Sequence, residues 1–179
     1  QMLWGFFKKI VVADSCAVGV ENIFSNYPSM SGGLLFLGGV LFAFQIYGDF
    51  SGYSDIAIGT ARLFGIDLMR NFNIPYFSRN ISEFWSRWHI SLTTWFRDYI
   101  YIPLGGNREG RLRTLRNTLI VFLVSGIWHG ANWTFVCWGL YHALLIIVFF
   151  LLGVRRQPKV VAANSVLPSV KECAQMAVT

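Results

Sequence analysis

The strongest constraint on this chain is an uncharged stretch that runs from Asn117 to Leu152. As one α-helix it would be about 54 Å long, whereas the hydrocarbon core of a bilayer is about 30 Å thick. The stretch must therefore break, and Gly130-Ala131-Asn132 is the natural place. Basic residues flank both of its ends: Arg111, Arg113 and Arg116 before it, and Arg155, Arg156 and Lys159 after it. Such flanks favour a hairpin or a re-entrant pair of helices with both ends on the cytoplasmic side.

The composition favours a membrane protein. Hydrophobic residues make up 54% of the chain and charged residues 13%, whereas ordinary soluble chains carry about 25% charged residues. The net charge of +6 does not indicate nucleic-acid binding, because the basic residues lie between apolar segments, as in the cytoplasmic loops of membrane proteins.

The remaining apolar segments complete the predicted architecture. Leu34 to Tyr47, with its flanking glycines, is apolar enough to cross a bilayer. Residues 2–24 predict an interfacial helix or a weak span, because Asp14 and Glu21 disfavour a full crossing. We therefore predict an all-α, polytopic membrane protein with a helical core over residues 1–152. Residues 153–179 are expected to form a polar, loosely ordered tail.

Residues 81–102 have a clear helical period of aromatic side chains. We predict one amphipathic helix here, on the cytoplasmic face because arginines are frequent around it. Asn80 and Glu83 fit a capping box at its start, and Pro103 with the glycines that follow would end it. In a continuous helix, His89 would lie on the aromatic face.

The stretch SGIWHGANW (125–133) contains the most conspicuous candidate for chemistry. A first arm of about 18 Å would place His129 near mid-membrane depth. A neutral imidazole is a suitable general base, with Gly130 permitting close approach, Asn132 offering hydrogen bonds, and Trp128 and Trp133 forming pocket walls. The alternative is a structural histidine that hydrogen-bonds a neighbouring helix.

Other patterns are weaker. The three histidines are far apart and form no HxxxH pair, so no metal site is predicted. His142 is interpreted as a helix-packing residue. The loop PLGGNREG (103–110) either binds a phosphate through its backbone amides or simply stops a helix.

Three long motifs resemble the membrane-bound O-acyltransferase family, and in particular its alginate O-acetylation branch. They are DFSGYSDIAIGTARLFGI (49–66), NFNIPYFSRNISEFWSRWHISLTTWFRDYIYIPLGGNR (71–108) and SGIWHGANWTFVCWGLYHA (125–143). The resemblance runs in order over residues 2–152. It implies a partial member of the family, with further membrane helices expected before Gln1 and after Leu152.

The resemblance implies transfer of an acyl group from a cytoplasmic thioester, through the membrane, to an acceptor hydroxyl. In the alginate branch the implied donor is acetyl-CoA, and the implied acceptor is an exopolysaccharide reached through partner proteins outside the membrane. The implied location is the bacterial cytoplasmic membrane, and no bound cofactor is expected. The family's invariant histidine falls on His129, and a second family histidine falls on His89.

These positions suggest roles for the surrounding residues. His129 would act as the base, Asn132 or an indole N–H would stabilise the oxyanion, and His89 would position the donor. The residues expected to attract the phosphates of coenzyme A are Arg87, Arg97 and Arg108, with Gly105 and Gly106 of the glycine-rich loop.

Three alternatives stay open at this point. The first is transfer of a D-alanyl or other acyl group by the same fold. A transporter would use Asp49, Asp55 and His129 to line a pathway, although it has no evident need for the aromatic helix 81–102. An inactive remnant would still insert into a membrane without a complete site.

Overall fold

The computed structural model describes residues 1–153, and within this range every regular element is helical. The predicted all-α class is thus confirmed for this part of the chain. Apart from Gly153, the predicted tail lies outside the described residues. The helices fall into two compact units, residues 1–71 and the part from residue 72 onward.

The first unit is a long helical hairpin. α1 (Met2–Phe6), a π-helical stretch (Phe7–Ala13) and α2 (Asp14–Ser25) follow one another and pack along α3 (Gly32–Leu63). The segment predicted as an interfacial helix or weak span is therefore the first arm of this hairpin.

Glycines and ion pairs hold the hairpin together. A Cβ on Gly5 would lie 2.7 Å from the carbonyl oxygen of Gly52, so the two backbones meet where only glycine fits. Lys8 forms an ion pair with Asp55 at 2.6 Å. This pairing offsets the cost of a charged side chain on an otherwise apolar helix.

The second unit contains a helical pair that breaks where the sequence predicts. α6 (Arg111–His129) ends one residue before Gly130, and α7 (Trp133–Leu151) begins one residue after Asn132. The helices are antiparallel and very close, since a Cβ on Gly126 would lie 2.4 Å from the Phe135 carbonyl oxygen. α3 and α7 are the two described helices that are long and apolar enough to cross a membrane.

The prediction of one continuous helix over residues 81–102 is wrong. The segment divides into α4 (Ile81–Arg87), α5 (Ile90–Phe96) and a π-helical turn (Arg97–Tyr101). Trp88 is extended and His89 is left-handed, with φ 43°. Trp88 packs against Phe72 and Phe84, with ring centroids 5.1 and 5.5 Å away. The aromatic period shows which residues share an apolar environment, but it does not reveal a change in backbone direction between them.

The predicted cap of α4 is half correct. The side chain of Asn80 accepts a hydrogen bond from the Glu83 N–H at 2.9 Å, as a capping residue should. The carboxylate of Glu83 does not complete the capping box. It accepts hydrogen bonds from the backbone N–H and the Nε of Arg79, both at 3.0 Å.

Candidate active site

A cavity of about 320 Å³ lies within the second unit, between the short helices α4 and α5 and the long pair α6 and α7. Most of its walls are aromatic or aliphatic. The residues that line it are Ser82, Trp85, Trp88, His89, Leu92, Thr93, Phe96, Arg97, Tyr101, Thr118, Val121, Phe122, Ser125, His129 and Ile146. The cavity therefore brings together both histidines that the sequence singled out.

His89 reaches the cavity because the chain bends there. It lies between α4 and α5 in the left-handed region, where a non-glycine residue costs on the order of 1–3 kcal/mol and persists only because its surroundings fix it. The Ser91 hydroxyl lies 3.4 Å from its Nδ1. Burial, with a smaller contribution from the nearby His129, lowers the pKa of His89 from 6.5 to about 4. The ring is therefore neutral near pH 7.

A buried ion-pair cluster fixes the helix that precedes His89. Glu83 is 7% exposed and pairs with both Arg79 and Arg87. Burial acts to raise the pKa of the Glu83 carboxyl, but the hydrogen bonds from Arg79 and the charge of Arg87 outweigh it and hold the pKa below its usual value. Arg87 also accepts, through its carbonyl oxygen, a hydrogen bond from the Asn73 N–H. Ion pairs and a backbone hydrogen bond thus fix the position of the residues before the bend.

His129 is the last residue of α6, and its ring lies among aromatic rings. Its centroid is 5.0 Å from those of Trp128 and Trp138 and 6.2 Å from that of Phe135. The Trp128 ring is also 6.5 Å from His89, so one indole contacts both imidazoles. A Cβ on Gly130 would lie 2.7 Å from the Phe135 ring, so a larger residue there would have to displace that ring.

None of the four predicted supporting residues of the pocket, Trp128, Gly130, Asn132 and Trp133, is among the residues that line the cavity. The side-chain oxygen of Asn132 accepts hydrogen bonds from the backbone N–H and the hydroxyl of Thr134, at 3.1 and 3.2 Å. Asn132 therefore caps α7. Trp133 is 80% exposed.

Of the three arginines predicted to bind the donor, one lines the cavity and two do not. Arg97 lines the cavity and pairs with Asp98 at 2.7 Å. Arg87 is held by Glu83, and Arg108 is exposed and lies outside the cavity lining.

The glycine-rich loop ends the preceding helical segment and is held by hydrogen bonds from a residue of α6. Gly105 and Gly106 have φ of +99° and +58°, the region that favours glycine. The fully buried Asn117 donates hydrogen bonds to the carbonyl oxygens of Leu104 and Gly106, both at 3.0 Å. The loop is thus attached to α6, and Gly105 and Gly106 are not among the residues that line the cavity.

The sequence interpretation missed an aromatic cluster beside the two histidines. Trp138 contacts Trp85, His129 and His142, with centroids 5.7, 5.0 and 4.8 Å away. The spacing of four residues between Trp138 and His142 on one helix was the available signal. Trp85 was recognised as part of an aromatic face, but a face does not reveal which helix it meets.

The sequence model of the membrane-bound O-acyltransferase family matches residues 18–163. The chain belongs to this family. It is 45% identical over 161 residues to the probable alginate O-acetylase of Azotobacter vinelandii, covering 90% of this chain and 32% of that protein. It is 47% identical over 144 residues to the peptidoglycan O-acetyltransferase of Helicobacter pylori, covering 80% and 27%.

A more distant relative is the teichoic acid D-alanyltransferase of Bacillus subtilis, 35% identical over 155 residues, with 79% of this chain and 38% of that protein covered. The chain thus spans about a third of the length of these relatives. Membership of the family establishes a membrane-protein context and indicates an acyl donor.

Proposed function

We propose that this chain supplies the histidine-bearing part of a membrane O-acyltransferase, which moves acetyl groups from acetyl-CoA across the membrane toward hydroxyl groups of an exopolysaccharide. One observation carries the proposal: His89, at the bend between α4 and α5, and His129, at the end of α6, line one aromatic cavity in a chain of this family. The names of the two relatives at 45% and 47% identity favour acetyl as the acyl group. The name of the Azotobacter vinelandii relative favours alginate as the polysaccharide.

The proposed chemistry is a direct acyl transfer. The His129 imidazole accepts the proton of the acceptor hydroxyl while the hydroxyl oxygen attacks the thioester carbonyl carbon. The C–S bond then breaks, and the leaving thiolate takes the proton from His129. His89, neutral and fixed at the bend, positions the donor. Arg97, at the cavity, attracts the donor phosphates, with Arg87, Arg108 and the Gly105-Gly106 loop in lesser roles.

The proposed setting is the bacterial cytoplasmic membrane, with several spans and a cytoplasmic donor. Partner proteins outside the membrane would carry the acetyl group to the polysaccharide. D-alanyl transfer is the second candidate, because the Bacillus subtilis relative is named for it. Its lower identity of 35% places it behind acetyl transfer.

The test uses membranes that express residues 1–179 alone, or joined to the N-terminal region of the Azotobacter vinelandii relative. Radiolabelled acetyl-CoA is supplied, and acetyl transfer to polysaccharide or water is measured for the wild type and for His129→Ala. We expect transfer in the joined protein and its loss in His129→Ala, with the melting temperature in detergent unchanged. Equal transfer by the alanine variant would refute His129 as the base. Transfer from a D-alanyl thioester in place of acetyl-CoA would favour the second candidate.

A further inference from the structure

Ser125 lies on α6 four residues before His129, and both residues line the cavity. Side chains at this spacing are neighbours on one face of a helix, with Cβ atoms about 5–6 Å apart. Helical side chains also lean towards the N-terminus of their helix, which is the direction from His129 to Ser125. The Ser125 hydroxyl is therefore a cavity group close to the candidate base.

The fold does not use the Ser125 hydroxyl. Ser125 is 8% exposed, but its oxygen is not among the fully enclosed polar atoms, and it has no hydrogen bond within residues 1–153. A hydroxyl inside a helix often donates to the carbonyl oxygen four residues earlier, as that of Thr118 does to Thr114 at 2.9 Å. Because Ser125 makes no such bond, a molecule in the cavity can reach its hydroxyl.

Two other polar groups that could hold an oxygen are less well placed. Asn132, the expected oxyanion donor, caps α7 and is not a lining residue. Ser82 lines the cavity on α4, in the same helical turn as Trp85. The Trp85 ring packs on Phe122, which lies about 10 Å along α6 from His129. Ser125 is thus the lining hydroxyl on the turn next to the candidate base.

We propose that the Ser125 hydroxyl donates a hydrogen bond to the carbonyl oxygen of the acyl thioester. This proposal rests on the function proposed above and adds the group that holds the oxygen. A carbonyl oxygen is an acceptor, and a serine hydroxyl can donate to it. During transfer, the acceptor hydroxyl and the thioester carbonyl must fit between the base and this donor. A separation of about 5–6 Å between the Cβ atoms of Ser125 and His129 allows one side chain to contact each group.

The Ser125 hydroxyl stabilises the charge that develops during transfer. The acceptor oxygen attacks the carbonyl carbon as its proton passes to His129, and the C=O bond becomes C–O⁻. The Ser125 O–H donates to this oxyanion more strongly than to the uncharged carbonyl. Collapse of the intermediate re-forms C=O, breaks the C–S bond and releases the thiolate, which takes the proton from His129. Ser125 keeps its own proton and forms no covalent bond.

The kinetic test measures Ser125→Ala in the joined protein described above. The change removes the hydroxyl and leaves the backbone and the Cβ atom in place. We expect kcat to fall about 100-fold, with a small effect on KM for acetyl-CoA and no change in melting temperature. Ser15→Ala, the same substitution at an exposed position of α2, is the matched control and should leave kcat unchanged. A kcat for Ser125→Ala equal to that of Ser15→Ala would overturn the proposal, and the proposed function would stand if His129→Ala is inactive.

An infrared measurement tests the hydrogen bond itself. His129→Ala is used so that bound acetyl-CoA, labelled with ¹³C at the thioester carbonyl, is not consumed. A donated hydrogen bond lowers the C=O stretching frequency. We therefore expect a lower frequency in His129→Ala than in the double variant that also carries Ser125→Ala. Equal frequencies would overturn the proposal.

Two further outcomes separate this proposal from the alternatives. An acetyl ester on Ser125, detected by mass spectrometry after incubation of the wild type with acetyl-CoA, would overturn the proposal because Ser125 would then be a nucleophile. A lowered C=O frequency that depends on Ser125, in a protein whose wild type transfers no acetyl, would refute the proposed function and support the Ser125 contact.

Discussion

His89 and His129 belong to different helical segments, yet both line one cavity, and the Trp128 ring contacts both of their rings. The left-handed residue between α4 and α5 makes this possible, because it turns the chain at His89. In a continuous helix, the His89 side chain would point in a different direction. The bend is therefore part of how the site is assembled, and its surroundings can be tested separately from the chemistry.

Acid should destabilise the protein through His89. In the folded protein the pKa of His89 is about 4, against 6.5 for an ordinary histidine, so the unfolded chain binds the proton more readily between these values. The stability contributed by the neutral ring is fully present above about pH 6.5 and is lost as the pH falls towards 4. Melting temperatures in detergent should therefore fall more steeply across this window for the wild type than for His89→Gln. Parallel curves would contradict the prediction.

Neutralising Glu83 should destabilise the second unit strongly. Glu83→Gln leaves Arg79 and Arg87 without their buried counter-charge, and breaking such a pair costs about 3 kcal/mol. The matched control is Glu109→Gln, which breaks the exposed i,i+4 pair with Arg113 and should cost less than about 1 kcal/mol. Denaturant or thermal unfolding in detergent measures both. Equal losses of unfolding free energy in the two variants would show that burial does not strengthen the Glu83 ion pairs.

Removing the Asn117 side chain should release the glycine-rich loop. Asn117→Ala leaves the buried carbonyl oxygen of Gly106 without its donor, whereas Arg116 still donates to that of Leu104 at 3.3 Å, and the cost is about 2 kcal/mol. Limited proteolysis should then cut within residues 103–110 faster than in the wild type. The control is Asn107→Ala at an exposed position of the same loop, which should be cut at the wild-type rate. If the Asn117 variant is cut no faster, the loop is held by other contacts.

The close contact of α6 and α7 should not tolerate a methyl group. In Gly139→Ala the new Cβ would lie 2.4 Å from the Phe122 carbonyl oxygen, so the helices must separate, at a cost of about 1–3 kcal/mol. Gly39→Ala places its Cβ in open space on α3 and should be neutral or slightly stabilising, since alanine favours helix. Melting temperatures of the two variants would show the difference. A Gly139→Ala protein as stable as the wild type would mean that the pair has room to adjust.

Much of the fold was accessible from the sequence because it depends on local chemistry. The uncharged length of residues 117–152 required a break, and the run Gly130-Ala131-Asn132 indicated where it falls, between His129 and Trp133. The start of α4 at Asn80 was visible for the same reason, since a cap involves only neighbouring residues. The choice of His129 came from its place within the uncharged stretch, and that of His89 came from the resemblance to the family motifs.

The tertiary structure decided which of these residues meet. Helical periodicity could not reveal the bend at Trp88 and His89, because local propensity disfavours the left-handed backbone found there. At the bend, Trp88 packs against Phe72 and Phe84, and this packing is a tertiary contact. Periodicity also could not show that Asn132 caps a helix while Trp85 and His142 meet with unpaired polar atoms. Local sequence thus determined where helices start and stop. Contacts between residues distant in the chain determined which side chains share the cavity, because those contacts depend on how the helices pack.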